Sequence, residues 1–86
     1  MNKCYSIYIL QSEKDGRYYV GSTNNLEKRI VYHNKGRVLS TKNFVPWNLK
    51  YKENFDSLSM ARKREQQIKN WKKRSAIEKL INAPIV

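Results

Sequence analysis

One cysteine, two prolines, three glycines and seven acidic residues are what this 86-residue chain has little of. With Cys4 alone, no internal disulfide can form, and a reducing cytosol is the compartment that fits. So few prolines and glycines leave no room for a Pro/Gly-rich linker, and there is no internal repeat or low-complexity segment. No apolar run approaches the length of a membrane span. Near the N-terminus Tyr, Ser and Gln interrupt the stretch Cys4 to Gln11, so it does not read as a secretory h-region. Secretion and membrane spanning are both disfavoured.

The scarcity of acid has the largest consequence. Eighteen Lys and Arg stand against seven Asp and Glu, for a formal net charge of +11. A compact domain so charged repels itself and attracts polyanions. Nucleic acid is the first candidate partner and an anionic membrane surface the second. Six Tyr and two Trp interleaved with the cations favour nucleic acid, because bases stack on rings. A hydrophobic content of 40% argues for a folded domain rather than a disordered tail. The length allows one domain over residues 1–86, burying roughly 60% of its unfolded surface.

Local patterns predict an α+β chain of order β-β-α-β-α-α, a small three-stranded antiparallel sheet flanked by helices. Tyr5 to Leu10 reads as a strand, Ser12 to Arg17 as a turn tight at Asp15-Gly16, and Tyr18 to Ser22 as the returning strand. Gly21 suggests a bulge or a close approach of backbone to another group. Asn24 or Asn25 caps a helix to about Lys35, stopped by Gly36, with Leu26 and Ile30 inward. Residues 36–47 read as a basic, aromatic loop. Asn48 to Phe55 reads as a third strand with Leu49, Tyr51 and Glu53 alternating against Lys50 and Lys52. A helix spans about Ser57 to Lys73. Ser75 to Glu78 forms a capping box for a last helix through about Asn82, and Pro84 closes the chain.

Glu65 is the residue out of place. It lies four residues after Ala61 and three before Ile68, on the face shared with Leu58, Met60 and Trp71, amid Arg62, Lys63, Arg64, Lys69, Lys72, Lys73 and Arg74. An inward acid on a basic helix fits a metal or a charged intermediate; it equally fits a pair with a neighbouring Arg. Tyr8 points away from the face of Ile7 and Ile9, and Tyr19 shares a face with Gly21. The two phenols could form part of a site, or ordinary cross-strand aromatic packing. Arg29 and His33, four apart on the first helix, can reach one point in space.

These residues collect into a pattern. Ser6-Ile7-Tyr8, ten residues, then Tyr19-Val20-Gly21 resembles the signature of the GIY-YIG nuclease superfamily. Arg29, His33 and Glu65 follow in matching order, and His33-Asn34-x-Gly36, Thr41-Lys42 and Pro46-Trp47-x-Leu49-x-Tyr51 are similar to its small stand-alone bacterial members. The resemblance covers about residues 5–82. It implies a phosphodiesterase that uses one divalent metal, Mg²⁺ or Mn²⁺, and whose relatives serve excision repair, structure-selective cutting, homing and restriction. It further implies that Glu65 holds the metal, that Arg29 contacts the scissile phosphate, and that Tyr8 and Tyr19 shape the site, one of them activating water. This sequence departs from the pattern at Ser6 (Gly in the signature) and Val20 (Ile). Ile77 stands where many larger relatives carry an Asn.

Physical chemistry supports these roles. Phosphodiester cleavage builds negative charge, which an Arg29 fork and a cation at Glu65 can neutralise. A single carboxylate suits Mg²⁺ that keeps several waters, and the absence of paired carboxylates disfavours a two-metal site. A tyrosine base, with an ordinary pKa of about 10, would need cationic neighbours to ionise. His33 could be a phosphate contact, an acid–base helper, or the group that holds a Tyr hydroxyl. Lys35, Arg37, Lys42, Arg62, Lys69, Lys72 and Lys73 are the expected phosphate contacts, with DNA favoured over RNA. Without a DNA-targeting domain, cutting is expected to be structure-selective or non-specific. The rival readings are a binding module that keeps the fold without turnover, and a basic protein docking on a membrane or an acidic protein partner.

Overall fold

A computed structural model describes residues 4–83; Pro84 lies outside them. The strands β1 (Tyr5–Ser12), β2 (Tyr18–Thr23) and β3 (Trp47–Phe55) form one antiparallel sheet of order β2-β1-β3. The helices are α1 (Leu26–Asn34), α2 (Leu58–Asn70) and α3 (Arg74–Ile81). The expected order β-β-α-β-α-α and the three-stranded sheet are both present.

The central strand explains the layering. Every residue from Ser6 to Leu10 is buried, because helices or loops cover both faces. Ile7, Ile9 and Val20 pack against Ala61 and Ile68 of α2, backed by Trp71 and the α3 residues Ile77, Leu80 and Ile81. On the opposite face Tyr8, Leu10 and Trp47 pack with Tyr19, Leu26 and Ile30, and with Phe44 and Val45 from the loop. The sheet thus separates a layer covered by α2 and α3 from one closed by α1 and the loop that follows it.

Caps and turns follow the local chemistry in most places. Asn25 caps α1 through its side chain on the Lys28 amide, and Ser57 caps α2 on the Met60 amide. Gly16 and Gly36 take φ of +80° and +73°, the left-handed region that favours glycine. The loop between α1 and β3 contains a 3₁₀ turn, Lys42–Phe44. Its return is clamped by the Asn34 side chain, which donates to the Trp47 carbonyl (3.1 Å) and accepts from the Trp47 amide (2.6 Å).

Several expectations are corrected. β1 runs on to Ser12, whose hydroxyl donates to the Phe44 carbonyl and accepts from the Lys14 amide; that bonding holds a turn-type residue in the strand. The β1–β3 register shifts by one residue between Ile9 and Leu10, leaving Lys50 unpaired. The simple alternation of Leu49 with Tyr51 therefore breaks, and Leu49 is exposed. Leu58 and Met60 are exposed as well, since the contact stripe of α2 is narrower than the apolar spacing suggests. α2 stops at Asn70, and Lys72 at φ +54° turns the chain, so the basic run is not one helix to Lys73. No Ser75 capping box forms. α3 begins two residues earlier than such a box would start it, with Lys73 at its cap and no side-chain cap bond, which puts Ser75 inside the first turn, while Glu78 pairs with Arg74 (3.6 Å).

Candidate functional site

The β1–β2 register sets Tyr8 opposite Gly21. A Cβ on Gly21 would stand 2.5 Å from the Tyr8 hydroxyl oxygen, so the phenol lies directly over the glycine. Close approach, not a bulge, is what Gly21 serves. Tyr19 is diagonal to Tyr8, paired with Leu10. Its ring stands edge-on to His33 (4.9 Å), Tyr8 (6.2 Å) and Trp47 (6.4 Å). Aromatic packing and a shared phenol face therefore coexist, but only Tyr19 keeps partial exposure, while Tyr8 is 1% exposed.

Helix α1 contributes two side chains. His33 is fully buried, with Nε2 3.0 Å from the Tyr8 hydroxyl and Nδ1 2.8 Å from Thr41 Oγ1. The Thr41 hydroxyl itself donates to the Val38 carbonyl (3.4 Å). That direction assigns the proton to His33 Nδ1, so Nε2 accepts from the Tyr8 O–H. Burial, then the nearby Arg29 charge, lowers the His33 pKa from 6.5 to about 4, and the ring is neutral at pH 7. The contact that the third of its expected roles requires, with a Tyr hydroxyl, is present. Arg29 Nε donates to the same hydroxyl at 3.4 Å. The bond to Tyr8 raises the Arg29 pKa, so its charge is permanent.

The expectation that cations would help a tyrosine ionise is corrected for Tyr8. Burial raises its pKa and outweighs the opposing bond from Arg29. The nearby Tyr19 and Glu65 raise it further.

Glu65 comes from the other face of the sheet. Ser22, beside Gly21 on β2 and paired with Ile7, donates its hydroxyl to Glu65 Oε1 at 2.6 Å. Lys69 Nζ pairs with Oε2 at 2.6 Å. The expected alternative of a neighbouring Arg partner is corrected: Lys69, one turn on, takes that place, while Arg64 turns to Glu53 (3.1 Å) and Trp71. The Glu65 side chain is 19% exposed. Tyr8 is thus bonded to Arg29 beside Tyr19 on one face of the sheet, while Glu65 is held on the other by Ser22, a residue of the same strand as Tyr19.

The residues present fit a hydrated divalent ion rather than a protein-caged one. No group of three or more His, Cys, Asp or Glu side chains converges among the described residues. With one carboxylate, whose oxygens hold the Ser22 hydroxyl and the Lys69 ammonium, a divalent ion would take water and phosphate oxygens as its remaining ligands, with the ammonium displaced.

Along the β2 edge runs a cleft of about 640 Å³, whose walls include Arg17, Tyr19, Lys69, Lys72, Lys73 and Arg74. Of the expected phosphate contacts, Lys69, Lys72 and Lys73 meet here. Lys35, Arg37, Lys42 and Arg62 are exposed elsewhere and do not line it. Sequence reasoning misses Ser22 and Arg17. Nothing marks Ser22 except its place one residue after Gly21, and Arg17 reads only as the end of the turn. Arg17 lies 3.5 Å over the Phe44 ring and Arg74 5.0 Å over the Tyr18 ring, contacts that hold both guanidinium groups at the surface.

Known proteins agree with this architecture. Residues 4–80 match the GIY-YIG catalytic domain. A UPF0213 protein of Staphylococcus saprophyticus is 43% identical over 91% of this chain and 94% of its own. One from Syntrophus aciditrophicus is 45% identical over 93% and 88%. The solution NMR structure of a UPF0213 protein from Bacillus halodurans superposes with a TM-score of 0.58 at 29% identity, covering 91% of this chain and 82% of that one. No helix among the described residues is long and apolar enough to cross a membrane. The chain belongs to the GIY-YIG family, among its UPF0213 proteins.

Proposed function

We propose that this protein is a metal-dependent endonuclease that hydrolyses phosphodiester bonds in nucleic acid, DNA in preference to RNA, with structure-selective or non-specific cutting. The observation that supports it most is that β2 carries Tyr19, beside the Tyr8–Arg29 bond, and Ser22, which holds Glu65, on a strand whose edge bears a cationic cleft. Family membership points to nuclease-type chemistry on nucleic acid.

In this reading Arg29 binds the scissile phosphate, where a guanidinium fork opposes the charge that grows as the P–O bond breaks. Tyr8 keeps its proton and serves as the fixed point that orients Arg29. His33 acts through Tyr8 as a positioning residue, with Thr41 fixing its tautomer. Tyr19, the more accessible phenol, orients the attacking water. Glu65 would hold the divalent ion, held in turn by Ser22; the ion, when bound, supplies positive charge at the leaving oxygen. Arg17, Lys72, Lys73 and Arg74 take flanking phosphates.

The test is cleavage of labelled single-stranded, duplex, flapped and branched DNA and RNA by wild type and Glu65→Ala, each with Mg²⁺, Mn²⁺ or EDTA. Metal-dependent cutting lost in the variant is the expected result. Tight binding without wild-type cutting of any substrate would leave a nucleic-acid-binding module in its place.

A further inference from the structure

Both oxygens of Glu65 are occupied, and the two occupants differ in kind. The Ser22 hydroxyl on Oε1 rises from a strand in the sheet. The Lys69 ammonium on Oε2 sits at the end of a flexible four-carbon stem whose side chain is 44% exposed. The ammonium end of this pair, one helical turn along, is open to water and salt, which screen it, so it is readily exchanged. Lys69 also lines the cleft, in company with Lys72, Lys73 and Arg74. It is the side chain that borders both the carboxylate and the cationic cleft.

We infer that Lys69 is a displaceable occupant of the cation position at Glu65, transferred to a substrate phosphate when nucleic acid enters the cleft; this rests on the nuclease reading above. A compact ammonium and a divalent ion cannot share Oε2, because like charges a few ångströms apart repel strongly in a partly dry site. While the cleft is empty, Lys69 competes with the ion and keeps the free protein's metal affinity low. A phosphate beside Lys72 and Lys73 offers Lys69 a second anionic partner and clears Oε2. Metal and nucleic acid then favour each other's binding, and the coupling is reciprocal. The arrangement restricts the loaded site to the moment when substrate is present.

The experiment reads Mn²⁺ binding to the free protein by water-proton relaxation, without turnover, for wild type, Lys69→Met, Lys72→Met and Glu65→Gln. Methionine keeps the apolar stem and removes the charge, and circular dichroism verifies that each variant is folded. Lys69→Met is expected to bind Mn²⁺ about threefold or more tighter than wild type, with Lys72→Met changing affinity by less than about twofold and Glu65→Gln losing the site. In metal-free buffer, Lys69→Met should also reduce the salt slope of oligonucleotide binding by about one.

Equal affinity in wild type and Lys69→Met, with Glu65→Gln still losing the site, would overturn the inference and leave the nuclease reading standing. An equal gain in Lys72→Met would overturn it too, by reducing the effect to net charge. An unchanged salt slope would rule out transfer to phosphate. Absence of Mn²⁺ binding in both wild type and Lys69→Met would remove the metal role of Glu65 itself.

Discussion

Gly21 faces Tyr8 across the β1–β2 ladder, and the space a Cβ would need at Gly21 is filled by the Tyr8 hydroxyl, 2.5 Å away. That hydroxyl is the junction of the site, since His33 and Arg29 both bond to it. Gly21→Ala is therefore expected to push the ring off both partners. Overpacking of this kind costs about 1–3 kcal/mol, and cleavage should fall further than stability. Thermal denaturation set beside cleavage rate measures the two effects; an alanine variant as stable and active as wild type would refute the account of Gly21.

The two tyrosines should separate by stability. Tyr8→Phe strips the buried His33 Nε2 of its partner, and an unsatisfied buried group costs about 1–3 kcal/mol. Tyr19, partly exposed, leaves no such orphan. Tyr19→Phe is expected to melt within a few degrees of wild type and to lose cleavage with little change in substrate binding. Denaturant unfolding and anisotropy binding, run on both variants, check the split. Equal destabilisation by the two would contradict it.

His33 gives stability a pH dependence of known sign. Its folded pKa, about 4, lies below the ordinary 6.5. Between those values the unfolded chain binds a proton that the folded chain does not, so stability rises with pH through this window and levels off above 6.5. The full difference corresponds to roughly 3 kcal/mol. Glu53, with its pKa lowered below the usual range, loses its own contribution only at more acid pH. Burial would raise the Glu53 pKa, but the bonds from Arg64 and Tyr51 outweigh it. His33→Gln should therefore flatten the stability profile between about pH 5 and 6.5, above the carboxylate range. A His33→Gln slope equal to that of wild type would show that another group titrates there.

Two glutamates on opposite sides of the functional divide should behave differently. Glu53 accepts from Arg64 Nε (3.1 Å) and Nη2 (3.1 Å) and from the Tyr51 hydroxyl. Glu53→Gln weakens that partly buried cluster and should cost about 1–3 kcal/mol while leaving nucleic-acid binding intact. Glu65→Gln removes the ion pair with Lys69, whose ammonium end is exposed, and keeps an amide oxygen to accept from Ser22; it should cost about 1 kcal/mol or less, yet abolish cutting. Reversal of that pattern in melting and cleavage assays would reassign the roles.

Cleft and remote cations should differ as well. Lys72→Gln with Lys73→Gln is expected to lower the salt slope of binding by about two, about one for each phosphate no longer neutralised. The same change at Lys35 and Arg37, exposed but outside the cleft, should lower it less. Equal slopes for the two double variants would spread the interface beyond the β2 edge.

The elements themselves are legible because local chemistry fixes them. Asn25 and Ser57 cap their helices through their own side chains, and Gly16 and Gly36 fill left-handed positions. The Ser75 capping box misleads because its short range says nothing about where the chain leaves α2; Lys72, turned at positive φ, decides that. Met60 and Leu58 mislead because helical spacing gives an apolar direction, whereas the width of the buried stripe depends on what packs against it.

By itself the sequence determined the cationic surface, the order of strands and helices, and the spacing of Tyr8, Tyr19, Arg29, His33 and Glu65. These depend on composition and on interactions a few residues long. Only the tertiary structure decided that His33 is a buried, neutral holder of Tyr8, that Tyr8 is the shielded phenol and Tyr19 the accessible one, and that Ser22 and Lys69 occupy Glu65. Burial, proton position and ion pairing depend on side chains brought together from β1, β2, α1 and α2, as with Ser22 and Glu65, 43 positions apart, and no local pattern encodes those distances.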